Sequence, residues 1–146
     1  MKPNNKNNRT LTKAILAACV SIFFCVTASW AANVYVDKDA TGSNNGSSWA
    51  DAWKGFSSIN WSAVSPGDSI YISGGSSSKT YTEGLNVRKS GSSGSPIVIT
   101  RGQDSGHDGE VIIDGQGKVD ALIEIQGEHY ITVSRMTLKN TSISNA

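Results

Sequence analysis

The chain has 146 residues, with 13 lysines and arginines against 12 aspartates and glutamates, so its formal net charge is +1. Residues 32–146 alone carry nine basic against twelve acidic side chains, a net charge of −3, which argues against a nucleic-acid partner held through its phosphates. Glycine and serine make up 35 of those 115 residues, a composition that excludes a helical bundle or a long coiled coil.

Residues 1–31 have the organisation of a secretory signal peptide. Residues 1–13 are polar and basic, residues 14–28 are apolar, and Ser29-Trp30-Ala31 places small residues before Ala32. The apolar run is shorter than the roughly 20 residues that cross a bilayer. We predict cleavage between Ala31 and Ala32 and a mature protein that is secreted, periplasmic or at the cell surface, without a membrane segment. An uncleaved anchor and lipidation at Cys19 are the alternatives.

Both cysteines, Cys19 and Cys25, lie inside this leader. The predicted mature chain therefore has no disulfide, no thiolate nucleophile and no cysteine-ligated metal.

Residues 32–67 are predicted to form an N-terminal strand and a capping helix. The strand is Asn33-Val34-Tyr35-Val36-Asp37, which alternates apolar and polar side chains. Apolar residues then recur at helical spacing from Trp49, with Ser48 and Asp51 as a capping box, so we predict one amphipathic helix over residues 48–62. Its aromatic face would cover the end of the core.

Residues 68–146 contain short apolar triplets separated by turn residues, a pattern typical of half-buried strands. The triplets begin at Ile70, Leu85, Ile97, Val111, Ile123, Ile131 and Met136. Two series have nearly one period: Ile70, Ile97 and Ile123 are 27 and 26 residues apart, and Leu85, Val111 and Met136 are 26 and 25 apart. This spacing favours a coiled repeat with parallel sheets over the alternative, an antiparallel β-sandwich.

Several segments together resemble a known family. They are Tyr35-Val36-Asp37 with Thr41-Gly42-Ser43, the Trp49 and Trp53 segment, residues 65–72, 94–99 and 109–115, and residues 130–140. They resemble the N-terminal coils of right-handed parallel β-helix proteins, the pectin-lyase-like superfamily, nearest its chondroitinase B and alginate lyase branch. The resemblance implies an all-β solenoid of about three coils with an N-terminal capping helix, and an exported protein acting on acidic polysaccharide.

The resemblance also implies that catalytic and calcium-binding residues lie on later coils, so we expect this chain to be a fragment lacking its downstream coils and inactive alone. Because this fold supports many activities, a non-catalytic surface or adhesin-like scaffold is the alternative.

No catalytic set is visible. Basic residues near strands are Arg88, Arg101, Arg135 and Lys139, and none matches a family catalytic motif. Trp61 lies off the apolar face of the predicted helix, so Trp61, Arg135 and Lys139 are the candidates for glycan contact, against packing and solvated charge. The acidic residues that a glycosidase pair would require are Asp104, Asp108, Glu110, Asp114 and Asp120, which fall in turn-like sequence.

No cofactor is predicted, although calcium is a candidate at residues 37–42 and 104–109. Both loops lack the glutamate that an EF-hand has at its twelfth position, where Ser48 and Gly115 stand. His107 and His129 are isolated in sequence and are interpreted as ordinary loop histidines.

Overall fold

A computed structural model describes residues 31–142, which fold into nine short β-strands and two 3-10 helices. The strands are β1 (Asn33–Val36), β2 (Ser69–Ile72), β3 (Ser78–Tyr81), β4 (Leu85–Val87), β5 (Ile97–Arg101), β6 (Glu110–Asp114), β7 (Ile123–Ile125), β8 (Ile131–Ser134) and β9 (Thr137–Lys139). Apart from Ala31, the predicted leader with its two cysteines lies outside the described residues. Within residues 31–142, no helix is long and apolar enough to span a membrane.

The strands form three parallel sheets. One contains β1, β2, β5 and β8 in that order, the second contains β3, β6 and β9, and the third contains β4 and β7. Every pairing between these strands is parallel. The prediction of an all-β fold with parallel sheets is therefore confirmed, and the antiparallel sandwich is wrong.

Alternate side chains of the strands face a single core. In β2, Ile70 and Ile72 are buried while Tyr71 is half-buried, and β4 repeats the pattern with Leu85 and Val87 on either side of Asn86. Burial of each large aliphatic side chain contributes roughly 1.5–3 kcal/mol before the entropy of ordering it. The triplet pattern therefore predicted the inward side chains of β2, β4, β5 and β6 correctly, whereas Ile125 and Leu138 of the later triplets are exposed.

The predicted spacing between triplets is right between β6 and β9, where Ile112 aligns with Thr137 25 positions later, and wrong in the other steps. Ile70 aligns with Ile99, 29 positions later, and Leu85 aligns with Ile123, 38 positions later. The backbone ladder fixes which strands pair, whereas the loops between paired strands differ in length. The 26-residue steps from Ile97 to Ile123 and from Leu85 to Val111 joined strands of different sheets, whereas the step from Ile70 to Ile97 joined the paired strands β2 and β5.

The predicted helix over residues 48–62 is also wrong. This segment contains turns followed by two 3-10 helices, Phe56–Ser58 and Trp61–Ala63. Its backbone bonds to distant segments: the Trp53 amide donates to the Tyr35 carbonyl at 2.9 Å, and the Asp37 amide donates to the Trp53 carbonyl at 2.9 Å. The capping contact does form, because the Asp51 amide donates to the Ser48 hydroxyl at 3.1 Å, but no α-helix follows it.

The apolar residues of this segment nevertheless join the core as predicted. Trp53, Phe56 and Ile59 belong to the same buried cluster as the strand aliphatics, and so does Val64, which lies beyond the predicted helix. Trp49 does not, because its ring packs outside the core on Tyr35 and His107. The segment thus covers core residues with side chains at helical spacing but without a helical backbone.

Candidate functional site

A groove of about 300 Å³ lies between the two 3-10 helices and strand β4. We call it the Trp61 groove. Its lining residues are Phe56, Ser57, Ile59, Trp61, Gly84, Asn86 and Arg88. Its volume is at the lower end of the range of small-molecule pockets, about 300–1,000 Å³.

Glu83 fixes one wall of the groove. Its carboxylate accepts hydrogen bonds from the backbone amides of Phe56 at 2.7 Å and Ser57 at 3.1 Å. These amides begin the first 3-10 helix and have no partner within it, so the carboxylate satisfies them. Asn60 plays the same part for the second helix, where its side chain accepts from the Ser62 amide at 3.2 Å and positions Trp61.

The other wall comes from β4 and the residue that follows it. Leu85 and Val87 point into the core, so Asn86 points outward, where its amide nitrogen donates to Glu124 at 2.9 Å. Arg88 is exposed, and no carboxylate of residues 31–142 lies within 4.0 Å of its guanidinium. The groove therefore combines an apolar floor, a half-buried indole, an amide and an unpaired cation.

A second depression, of about 440 Å³, is lined by Arg101, Glu110, Arg135, Met136 and Thr137. Strands β5 and β8 align Thr100 with Ser134, so Arg101 and Arg135 follow at equivalent positions. Glu110 accepts from the Thr137 hydroxyl at 2.5 Å, and neither arginine has a carboxylate within 4.0 Å among the described residues. This arginine depression carries a positive excess.

The third feature is an ionic cluster that we call the Asp37 cluster, formed by Asp37, Asp39, Lys79, Ser73 and His107. Lys79 donates to Asp37 and lies 3.0 Å from the Asp39 carboxylate. His107 Nδ1 lies 2.9 Å from the Ser73 hydroxyl and 3.4 Å from the Asp37 carboxylate. The serine hydroxyl and the carboxylate both contact the same ring nitrogen. In a Ser-His-Asp triad they contact opposite ring nitrogens, so this arrangement is not a triad.

The protonation states of the Asp37 cluster favour a structural role. Burial alone would raise the pKa of Asp37, but hydrogen bonds from Lys79, the Asp39 amide and Ser73 lower it overall. Burial alone would lower the pKa of Lys79, but its bonds to Asp37 and Asp39 raise it overall. Lys79 therefore stays an ammonium and is unsuited to remove a proton as a general base.

Tyr81 is also held in its neutral form. Burial raises the pKa of its phenol well above the ordinary value, and the charge of Asp37 raises it further. Its hydroxyl donates to the Ser73 carbonyl at 2.9 Å. The phenol therefore anchors the backbone at Ser73 and does not serve as a base.

The two calcium candidates do not form cation sites. The ammonium of Lys79 occupies the position between the Asp37 and Asp39 carboxylates, and Asp104 accepts from the Trp49 indole at 2.7 Å. Within residues 31–142, no three histidine, cysteine, aspartate or glutamate side chains are placed to hold a metal ion.

Asp104, Glu110, Asp114 and Asp120 each serve a separate local contact. Asp114 accepts from the Gln116 amide and from Asn140, each at 2.9 Å, and these bonds lower its pKa. Asp120 accepts from Ser142. A carboxyl that donates a proton to a leaving group needs a raised pKa, so Asp114 is unsuited to that role.

The three glycan candidates are not brought together. Trp61 lines the first groove and Arg135 lines the arginine depression, while Lys139 lies 3.6 Å from Asp114. The prediction from the sequence missed the partners of His107. Its ring stacks on the Trp49 ring, with centroids 3.9 Å apart and planes 3° from parallel. No local motif indicates that stack, because Trp49 and His107 are 58 positions apart.

We find no match to this chain among models of protein families, curated proteins or solved structures. Residues 31–142 thus form an all-β protein of parallel sheets, with open surface depressions lined by Arg88 and by Arg101 with Arg135.

Proposed function

We propose that the chain is the N-terminal part of an exported, right-handed parallel β-helix protein that binds acidic polysaccharide. The order of the strands supports the solenoid. From β2 onward, successive strands belong to the first, second and third sheet in turn, and the cycle then repeats through β9. A chain coiling through about three turns produces this order, with segment 49–64 as its N-terminal cap.

The observation that carries the binding function is the Trp61 groove. A hexuronate has a face rich in C–H groups and a carboxylate on its ring. The indole of Trp61 offers a flat apolar surface to such a face, and the unpaired guanidinium of Arg88 offers a bidentate partner to the carboxylate. The arginine depression is a second cationic surface on the same molecule, which favours a polyanionic ligand over a neutral one.

Binding without catalysis is the form of this function that the described residues support. Lys79 is held as an ammonium, and Asp114 is held ionised. Neither residue is therefore suited to the proton transfers of cleavage. The alternative, a non-catalytic surface scaffold, predicts that neither acidic nor neutral glycans bind.

The test is a calorimetric titration of the purified protein with an oligouronate and with its carboxyl-reduced, neutral counterpart. We expect the oligouronate to bind at least tenfold more tightly. R88Q should remove that preference, and W61A should weaken the binding of both ligands. K118Q, which removes an exposed loop cation, is the matched control. Equal binding of the two ligands, or an unchanged preference in R88Q, contradicts the proposal.

A further inference from the structure

A buried carboxylate immediately before β2 has no cation beside it. Asp68 is only 2% exposed. One of its oxygens accepts from the Ala32 backbone nitrogen at 2.8 Å, and the other accepts from the Ser65 amide at 2.7 Å. Among residues 31–142, no lysine, arginine or histidine nitrogen lies within 4.0 Å of it. Buried carboxylates are rarely left without a positive partner, because desolvation disfavours the isolated charge.

The nitrogen that meets Asp68 belongs to the residue that follows the predicted cleavage site. In the uncleaved chain it is an amide and carries no net charge. After cleavage it is an α-amine, whose ordinary pKa of about 7.7–8.0 keeps it largely protonated at neutral pH. The existing separation of 2.8 Å already fits an ammonium–carboxylate hydrogen bond, for which about 2.7–2.9 Å is usual.

We propose that cleavage of the Ala31–Ala32 bond creates an α-ammonium that completes an ion pair with Asp68. The inference rests on the export in the proposed function. Water is the co-reactant, and a peptidase of the export machinery is the catalyst. The C–N bond breaks, the Ala31 carboxylate departs with the leader, and the Ala32 nitrogen takes the protons that make it an ammonium.

The strand pairing holds this nitrogen in place with or without the leader. The Ala32 carbonyl accepts from the Ser69 amide at 2.9 Å, and Asn33 aligns with Ser69 in the ladder between β1 and β2. Ala31 and Ala32 are both exposed, so room exists for the chain to end there. Correct processing thereby adds a charge at one defined point and stabilises the mature protein relative to an unprocessed or miscleaved chain.

The experiment compares two forms of the protein, one beginning at Ala32 and one retaining Ala31. The intact mass of the exported protein should correspond to a start at Ala32. The Ala32 form should melt about 5–10 °C higher than the form that retains Ala31. In D68N the two forms should melt within about 2 °C of each other, whereas the exposed-acid control D108N should keep the difference.

A third form of the wild-type protein tests the ion pair even where D68N does not fold. Acetylation of the wild-type Ala32 amine removes the charge without adding a residue, and it should lower the melting temperature to that of the Ala31 form. An exported protein that starts at Ala32 but melts no higher than the Ala31 and acetylated forms overturns the ion pair alone. A mass that begins elsewhere overturns the cleavage site, and the loss of oligouronate binding in R88Q tests the glycan proposal independently of both.

Discussion

Replacing Lys79 with methionine tests whether the Asp37 cluster stabilises the fold. The side chains of Lys79 and Asp37 are only 12% and 8% exposed, so the variant leaves a nearly buried carboxylate without its ammonium. Removing one partner of a buried ion pair costs about 3–5 kcal/mol. The Asp39 amide and the Ser73 hydroxyl still reach Asp37. We therefore expect a loss near the lower limit, about 3 kcal/mol, which lowers the melting temperature by about 10–15 °C in a domain of this size.

Urea unfolding of K79M, D37N and the double variant measures the coupling directly. The double variant buries no unpaired charge, so its loss of stability should be smaller than the sum of the two single losses. K118M, in which an exposed lysine receives the same side chain, should unfold like the wild type. The reasoning is refuted if K79M melts within about 2 °C of K118M, because a nearly buried pair would then contribute no more than a surface pair.

The pH dependence has a defined sign. Burial acting alone would raise the pKa of Asp37, but its hydrogen bonds lower it below the ordinary 3.8. A carboxyl with a depressed pKa contributes stability above its unfolded value and loses it as the pH falls through the folded value. The advantage of the wild type over K79M should therefore be full near neutral pH and shrink below pH 3.8. Because the pKa of Lys79 is raised, the same advantage should persist up to pH 10.5 and decline above it.

Three other predictions concern separate parts of the fold. G74A should lower the free energy of unfolding in urea by about 3 kcal/mol, because a Cβ at Gly74 would lie 1.7 Å from the Gly109 carbonyl oxygen. S76A, on the exposed neighbouring loop, should leave the free energy of unfolding almost unchanged. E83A should lose about 2 kcal/mol by leaving two amides of the Trp61 groove without an acceptor, and E83Q about half as much, because its amide keeps one acceptor oxygen. Adding calcium should shift the melting temperature by less than about 1 °C, because Lys79 already occupies the carboxylates of residues 37–42; a rise of several degrees would show a bound ion.

Burial was predictable in strands β2, β4, β5 and β6 from the rule that inward positions are aliphatic, although the same rule placed the exposed Ile125 inward. Strand β3 was missed because its inward positions do not follow that rule. Lys79 and Tyr81 align with the buried Val111 and Ile113 of β6, so a lysine stands on the core face of the sheet. A pattern that counts apolar residues cannot place a charge inward, since its neutralising partner, Asp37, is 42 positions away.

The candidate site was predictable only in part, for a related reason. Trp61 was selected from the sequence as a glycan candidate and Arg88 was not, and their common groove depends on how residues 56–63 lie against β4. That placement is set by the Glu83 carboxylate, which meets backbone amides 26 and 27 positions away. Helical spacing correctly indicated that Trp53, Phe56 and Ile59 turn inward, but it also included Trp49, which packs outside the core, and it carried no information about backbone partners in other segments.

Two buried acids lie at the two ends of the first strand. Among residues 31–142, β1 aligns all four of its residues with β2, and its other edge bonds to Gly46 and Trp53. Asp68 binds the nitrogen immediately before β1, and Asp37, immediately after it, binds Lys79 of β3. The cysteines at positions 19 and 25 both lie within the predicted leader, so a disulfide is not expected to hold this edge in the mature protein. Carboxylate contacts at both ends of β1 therefore add to its backbone hydrogen bonds in holding this strand. Replacing either acid should therefore release the end of β1 that this acid binds. Amide exchange should then rise first in the residues nearest that end.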